Sequence, residues 1–237
     1  MENQFTRTEY ILGKDNLAKI KNANIAVFGV GGVGGFCVEA LARAGVGKFT
    51  LVDNDTVSIT NLNRQIIALH TTVGMLKTEV MKNRISDINP EASVCCKNMF
   101  YLPENADLID LTPFDYVIDA IDTVSAKIEL IVRCDKLGIP IISSMGTGNK
   151  LNPFMFEVSD IYKTSVCPLA RVMRRELKAR NIKKLKVIYS KEEPVCCNIP
   201  VDTEIAGKKS IPGSISYCPS VAGLLLASEV ISDILKK

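Results

Sequence analysis

Apolar residues along this chain fall into short runs that stop at glycine, aspartate or proline. Residues 24–28 (NIAVF) end at Gly29, and residues 48–52 (KFTLV) end at Asp53. Residues 116–120 (YVIDA) lead into Ile121 and Asp122, and residues 140–144 form another such run. Short apolar runs bounded by turn residues predict buried strands. Residues 92–96 predict one more. Residues 33–44, 74–88 and 125–137 have helical spacing, and they close near Gly45, at Asn89-Pro90 and at Gly138. The order reads as β-α-β-α-β-α-β-α-β. That alternation predicts an α/β fold built on a doubly wound, parallel sheet.

Beyond about residue 151 the pattern loosens. Residues 155–158 and 185–189 predict strands, and residues 168–180 a helix. Residues 191–213 hold three prolines and two glycines and predict a long loop. Residues 220–235 predict a final, mostly buried helix. This second half is too small for a core of its own, so its strands are expected to extend the first sheet.

Composition narrows the picture only slightly. The 237 residues carry a formal charge of +3, too weak to imply a polyanion partner unless the charge is clustered. Eight cysteines occur without any CxxC pair, and the adjacent Cys95-Cys96 and Cys196-Cys197 are poorly spaced for tetrahedral zinc. Reduced thiols in a cytoplasmic protein are expected. The N-terminus lacks the apolar stretch of a signal peptide, and the longest apolar run near the C-terminus, residues 221–227, is short for a membrane span. No membrane partner is expected.

Candidate chemistry begins at residues 28–35, FGVGGVGG. Gly29, Gly31 and Gly34 fit G-x-G-x-x-G between a strand and a helix. The first glycine makes the turn, the second admits a phosphate, and the third lets helix and strand pack. Gly32 lies within the same loop. Asp53 follows at the end of the next strand, where a carboxylate can accept hydrogen bonds from ribose hydroxyls. Three readings are open here: NAD, ATP, or a purely structural turn. Arg64 and Lys77 lie soon afterwards, and two cations suit a triphosphate better than a pyrophosphate. Their bland alternative is a solvated surface. Asp122, at the end of a central strand, can hold Mg²⁺; its alternative is a helix cap. The lone histidine, His70, is expected in a loop without a catalytic role.

FGVGGVGG, LVDNDTVSITNLNRQ, VGMLKTEVM and VIDAIDT together resemble the ubiquitin-activating-enzyme-like (ThiF/MoeB-type) adenylating enzymes. The resemblance implies a Rossmann-like sheet, Mg-ATP, and adenylation of a substrate carboxylate. It implies nucleotide contacts from Asn61, Arg64, Gln65 and Lys77, a ribose carboxylate at Asp53, and magnesium at Asp122. FTRTEYILG resembles the superfamily's N-terminal segment, which makes Arg7 the arginine reaching a neighbouring subunit's ATP and implies a homodimer. Residues 1–150 would be the ATP-binding core of a single domain, and residues 151–237 its substrate-side extension.

Superfamily members that activate sulfur carriers commonly carry two CxxC motifs, which this chain lacks. On a helix over residues 168–180, Arg171, Arg174, Arg175 and Lys178 share one face, and Leu169, Val172, Met173 and Leu177 the other. Residues 171–186 hold eight cations and one acid, Glu176. Clustered charge of this kind is the footprint of a nucleic-acid site, with a solvated helix face as the bland alternative. VCPLARVMRRELKAR and PGSISYCPSVAGLLLASEV resemble the branch that acts on transfer RNA, the threonylcarbamoyladenosine dehydratases. Cys167 departs from that branch, where an acid is more common. A sulfur-carrier adenylyltransferase is the alternative, with a sulfur-relay protein as a further possible partner. An NAD-dependent oxidoreductase or a nucleotide-sensing binding module is a third reading, disfavoured because no acid–base pair for hydride transfer is visible and Arg64 with Lys77 would be surplus. Cys218 is expected to be a buried, inert thiol; Cys196 or Cys197 as a sulfur or acyl acceptor is a disfavoured alternative, since intramolecular cyclisation needs none.

Overall fold

A computed structural model describes residues 2–196 and 212–236. Two helices, α1 (Thr6–Leu12) and α2 (Lys14–Asn22), precede the first strand. The core follows as β1 (Asn24–Phe28), α3 (Gly34–Ala44), β2 (Lys48–Val52), α4 (Lys77–Ile88), β3 (Ser93–Lys97), β4 (Tyr116–Asp119), α5 (Val124–Leu137) and β5 (Ile141–Ser144). The second half adds β6 (Phe156–Asp160), α6 (Pro168–Ala179), β7 (Lys186–Ser190) and α7 (Tyr217–Leu235).

Among the described residues one seven-stranded sheet runs in the order β3-β2-β1-β4-β5-β7-β6, and only the β6–β7 pair is antiparallel. The strands of the second half therefore extend the first sheet, as their small size implied. The order reverses between β1 and β4, which pair in parallel with Ile25 beside Tyr116 and Phe28 beside Asp119. A crevice opens at such a reversal, because the connections from the two neighbouring strands leave to opposite faces.

Side-chain alternation explains the two helical layers. Ile25 and Val27 of β1, with Tyr116 and Ile118 of β4, enter a core shared with α2, α3, α4 and α7. Ala26, Phe28 and Val117 point the other way, against α5. Val187 and Tyr189 of β7 meet α6 on that second face. With both faces covered, the inner strands can be apolar at nearly every position, which is why their sequences read as continuous runs.

Four expectations change. The crossover from β3 to β4 holds no α-helix, only a 3-10 turn at Pro103–Leu108, so the expected alternation breaks there. Helix α4 begins at Lys77, not residue 74, because Gly74 is left-handed at φ 87° and Leu76 is bridged to Thr56. Helix α7 begins three residues early, with Pro219 inside its first turn. Its apolar character also runs further than residues 221–227: by length and composition alone it could cross a membrane. Here it packs along α3, and a side chain on its Gly223 would meet the Val33 carbonyl at 2.3 Å.

Candidate active site

A cleft of about 650 Å³ lies at the carboxyl ends of β1, β2, β4 and β5. Its floor is the glycine loop. Gly29 has φ 90°, and a side chain on it would stand 2.5 Å from the Ala120 carbonyl oxygen. A side chain on Gly34 would stand 1.9 Å from the Gly29 oxygen. These two glycines let β1, β4 and α3 close on each other. Gly31 and Gly32 face the cleft, as Gly29 also does, and a side chain on Gly31 would meet nothing nearer than the Gln65 amide at 3.7 Å. Gly34 thus serves packing and does not line the cleft.

Asp53 ties the loop to β2. One carboxylate oxygen accepts the Val30 N–H at 2.7 Å and the other the Asp55 N–H at 2.9 Å. A carboxylate offers about four acceptor sites, so capacity remains for ribose hydroxyls.

Asn61, Arg64, Gln65 and Lys77 line the wall beside the loop. Asn61 is held because its side-chain oxygen accepts the Ser58 N–H at 3.1 Å. Arg64 donates to the Thr60 carbonyl and the Asn63 side chain, both at 2.9 Å. Lys77, the first residue of α4, is 5% exposed and pairs with Asp55 at 2.6 Å. The Gln65 side-chain oxygen is buried and, among the described residues, has no hydrogen-bond partner, a polar group a ligand can satisfy.

Asp122 stands exposed on the opposite wall. It does not cap α5: Thr123 holds that position, without a side-chain cap. A hydrogen bond to it from the Thr123 hydroxyl is long at 3.4 Å. Among the described residues no three acidic, histidine or cysteine side chains form a metal cluster.

Sequence reasoning missed Asp55 and the apolar wall of Met99, Phe100 and Tyr101. Tyr101 packs edge-on against Phe28 with ring centroids 4.9 Å apart. These residues follow β3, so the rule that ligands gather at strand carboxyl ends could have found them.

Arg7 lies exposed on α1 and does not line the cleft of its own chain. Helix α6 begins at the rim, where Leu169 is part of the lining. Arg171, Arg175 and Lys178 are exposed, whereas Ala170, Met173 and Leu177 are buried. Leu169 and Val172 are only half-buried. Arg174 is less free than its spacing suggested, since it donates to the Thr164 carbonyl at 2.9 Å and to the Thr164 hydroxyl. Arg175 and Arg180 flank Glu176 at 2.9 and 3.0 Å, and the Arg175 hydrogen bonds chiefly hold its carboxyl below the usual range.

The thiols differ sharply. Cys218 is buried, its Sγ reaches the Lys150 carbonyl at 3.2 Å, and burial pushes its pKa up. Cys167 is buried as well, and Cys196 is exposed. Cys197 lies outside the described residues. His70 starts an exposed 3-10 turn away from the cleft.

A glycine-rich loop, a carboxylate at the end of β2 and two cations at a topological switch point define a nucleotide-binding α/β protein. The ThiF family model matches residues 4–237, and the chain belongs to that family. A tRNA threonylcarbamoyladenosine dehydratase of Bacillus subtilis (strain 168) is 47% identical over 244 residues, covering 100% of this chain and 96% of that protein. The crystal structure of E. coli tRNA N6-threonylcarbamoyladenosine dehydratase, TcdA, in complex with AMP matches with a TM-score of 0.89 at 33% identity. The same enzyme in complex with ATP matches with a TM-score of 0.87 at 34% identity. Each covers 98% of this chain and 94% of the other.

Proposed function

We propose that this chain is an ATP-dependent dehydratase acting on threonylcarbamoyladenosine in transfer RNA. The observation that carries it is the single cleft joining Asp53, Asn61, Arg64, Gln65, Lys77 and Asp122, with the exposed cations of α6 starting at its rim. The relatives named above carry that activity in their names, and the related E. coli enzyme holds ATP and AMP.

The substrate carboxylate attacks the α-phosphorus of ATP, and pyrophosphate leaves. The carboxylate is already ionised near neutrality, so no general base is needed. Binding supplies positioning and charge neutralisation. Asp53 takes the ribose, the backbone at Gly31 and Gly32 lets the phosphates approach, and Asn61, Arg64 and Gln65 contact them. Lys77 exchanges the half-exposed Asp55 for phosphate oxygens. A nucleophile within the same modified nucleoside then bonds to the acyl carbon and releases its proton to solvent. AMP departs with one carboxylate oxygen, and the net change is loss of water.

Mg²⁺, when bound, neutralises phosphate charge. Asp122 suits it: an exposed carboxylate only weakly engaged by Thr123, whose ion would take its other ligands from the nucleotide and water. In this reading the protein is a cytoplasmic homodimer in which Arg7 from a second copy completes the cleft. Tyr10 and Ile11, 77% and 85% exposed on α1, offer apolar area for such a contact. Arg171, Arg175 and Lys178 contact the transfer-RNA backbone, and Arg174 steadies the helix that presents them. Cyclisation uses no thiol, so a sulfur-relay partner would meet the exposed Cys196 for some separate purpose. The missing CxxC motifs leave the sulfur-carrier reading unsupported.

The test is incubation of the purified protein with Mg-ATP and transfer RNA bearing the modified nucleoside. AMP release with a nucleoside lighter by one water is expected. Neither product, with folded protein, would remove the assignment.

A further inference from the structure

Lys127 and Asp119 are both fully buried and face each other at 3.0 Å behind the cleft. Burying two charges is costly unless their remaining hydrogen-bonding capacity is filled, and a well-packed apolar pair would hold the core as well. Here that capacity converges on one residue. Lys127 Nζ donates to the Ile121 carbonyl at 2.9 Å, and Asp119 Oδ1 accepts the Ile121 N–H at 3.2 Å. Ser143, on the neighbouring strand, donates to Asp119 Oδ2 at 2.5 Å. Ile121 is thereby gripped through both its backbone groups, one residue before Asp122. The same turn rests against the glycine loop, since a side chain on Gly29 would strike the Ala120 oxygen at 2.5 Å. None of Asp119, Lys127 and Ser143 lines the cleft.

We propose that Asp119, Lys127 and Ser143 are positioning residues that fix Asp122 relative to the glycine loop, and so set how strongly Mg²⁺ tightens ATP binding. The proposal rests on the reading of Asp122 as the magnesium-holding residue. It predicts a defect in the metal-dependent part of binding alone, which loss of general stability would not produce.

ATP binding to the full-length protein is measured by calorimetry in Mg²⁺ and in EDTA, with thermal melts confirming fold. The readout is the ratio of the two Kd values. Asp122→Asn is the reference. The paired change Asp119→Asn with Lys127→Met leaves no orphan charge, and Ser143→Ala is the milder probe. Groups behind a metal ligand typically tune metal affinity about 10–100-fold, so the paired variant should lose about tenfold of the magnesium advantage. Its Kd in EDTA should stay within about twofold, and Ser143→Ala should lose about threefold of the advantage. An unchanged ratio in the paired variant, with Asp122→Asn defective, overturns the positioning role alone. An unchanged ratio in Asp122→Asn overturns the metal reading and the inference with it. If the paired variant does not fold, Ser143→Ala decides by the same ratio.

Discussion

Lys77 and Lys127 are both buried near the glycine loop, but their partners differ. Asp55, which pairs with Lys77, has a side chain 58% exposed, whereas Asp119, which pairs with Lys127, is fully buried. The first pair sits at the cleft wall, where water or an entering anion can take over either partner. The second is sealed behind it and grips backbone. Burial of a lysine therefore says little about its task; the exposure of its partner says more.

The largest expected contrast comes from removing each lysine. Lys77→Met should lower AMP formation about 10²–10³-fold, the usual cost of one electrostatic contact to a reacting group. Its melting temperature should stay close to wild type, because Asp55 can turn to water. Lys127→Met should instead cost about 3–5 kcal/mol of stability, read by urea denaturation, because Asp119 is left charged and buried. Equal destabilisation by the two would break the comparison.

The glycine loop repeats it on a smaller scale. Gly34→Ala forces a methyl to within 1.9 Å of the Gly29 oxygen. It should cost about 1–3 kcal/mol or more, as overpacking does. Gly31→Ala should melt normally and weaken ATP binding in calorimetry, since its side chain would enter the space where a phosphate approaches.

A third contrast lies on α6. Replacing Arg171, Arg175 or Lys178 with Gln should each flatten the salt dependence of transfer-RNA binding. A released counterion changes the slope of log K against log salt by about 0.7–0.9 per contact. Arg174→Gln, already committed to Thr164, should change that slope least and lower the melting temperature most. A filter-binding salt series distinguishes them.

The smallest effect concerns pH, at the ion cluster remote from the cleft. Burial pushes Asp233 up, but hydrogen bonds from Lys186 and Tyr116 outweigh it and hold its pKa below the ordinary value. Burial opposes the Lys186 charge, yet Asp233 and Glu229 raise its pKa. The Asp233 contribution is complete above the ordinary carboxylate pKa of about 4 and is lost as pH falls through the depressed value. The Lys186 contribution is complete below the ordinary lysine value and is lost as pH rises through the raised one. The gap in melting temperature between wild type and Asp233→Asn should therefore be widest near neutrality and shrink below about pH 4.

How much of this was legible depended on packing. NIAVF and KFTLV were bounded to the residue, because strands covered on both faces leave continuous apolar runs. The cleft positions of the glycine loop, Asp53, Arg64, Lys77 and Asp122 were legible too, since they follow strand ends and a glycine loop, whereas Asp55, Met99, Phe100 and Tyr101 carry no motif and were not. Helix α1 was not: none of its residues is fully buried and only Leu12 packs against the core, so TRTEYIL carries no apolar stripe. The start of α4 was misplaced because Gly74 and the Thr56–Leu76 bridge act through tertiary contacts. Lys127 and Asp119 were invisible for a similar reason. A lysine one turn into a helix reads as surface until the fold buries it against an acid from the neighbouring strand.

The central claim is that a carboxylate of transfer RNA becomes an acyl adenylate. Transfer RNA labelled with ¹⁸O in the threonyl carboxylate, turned over with Mg-ATP in unlabelled water, tests it directly by mass spectrometry of the AMP. One ¹⁸O should appear in AMP for each cyclised nucleoside. Unlabelled AMP, or ADP as the product, would contradict the account.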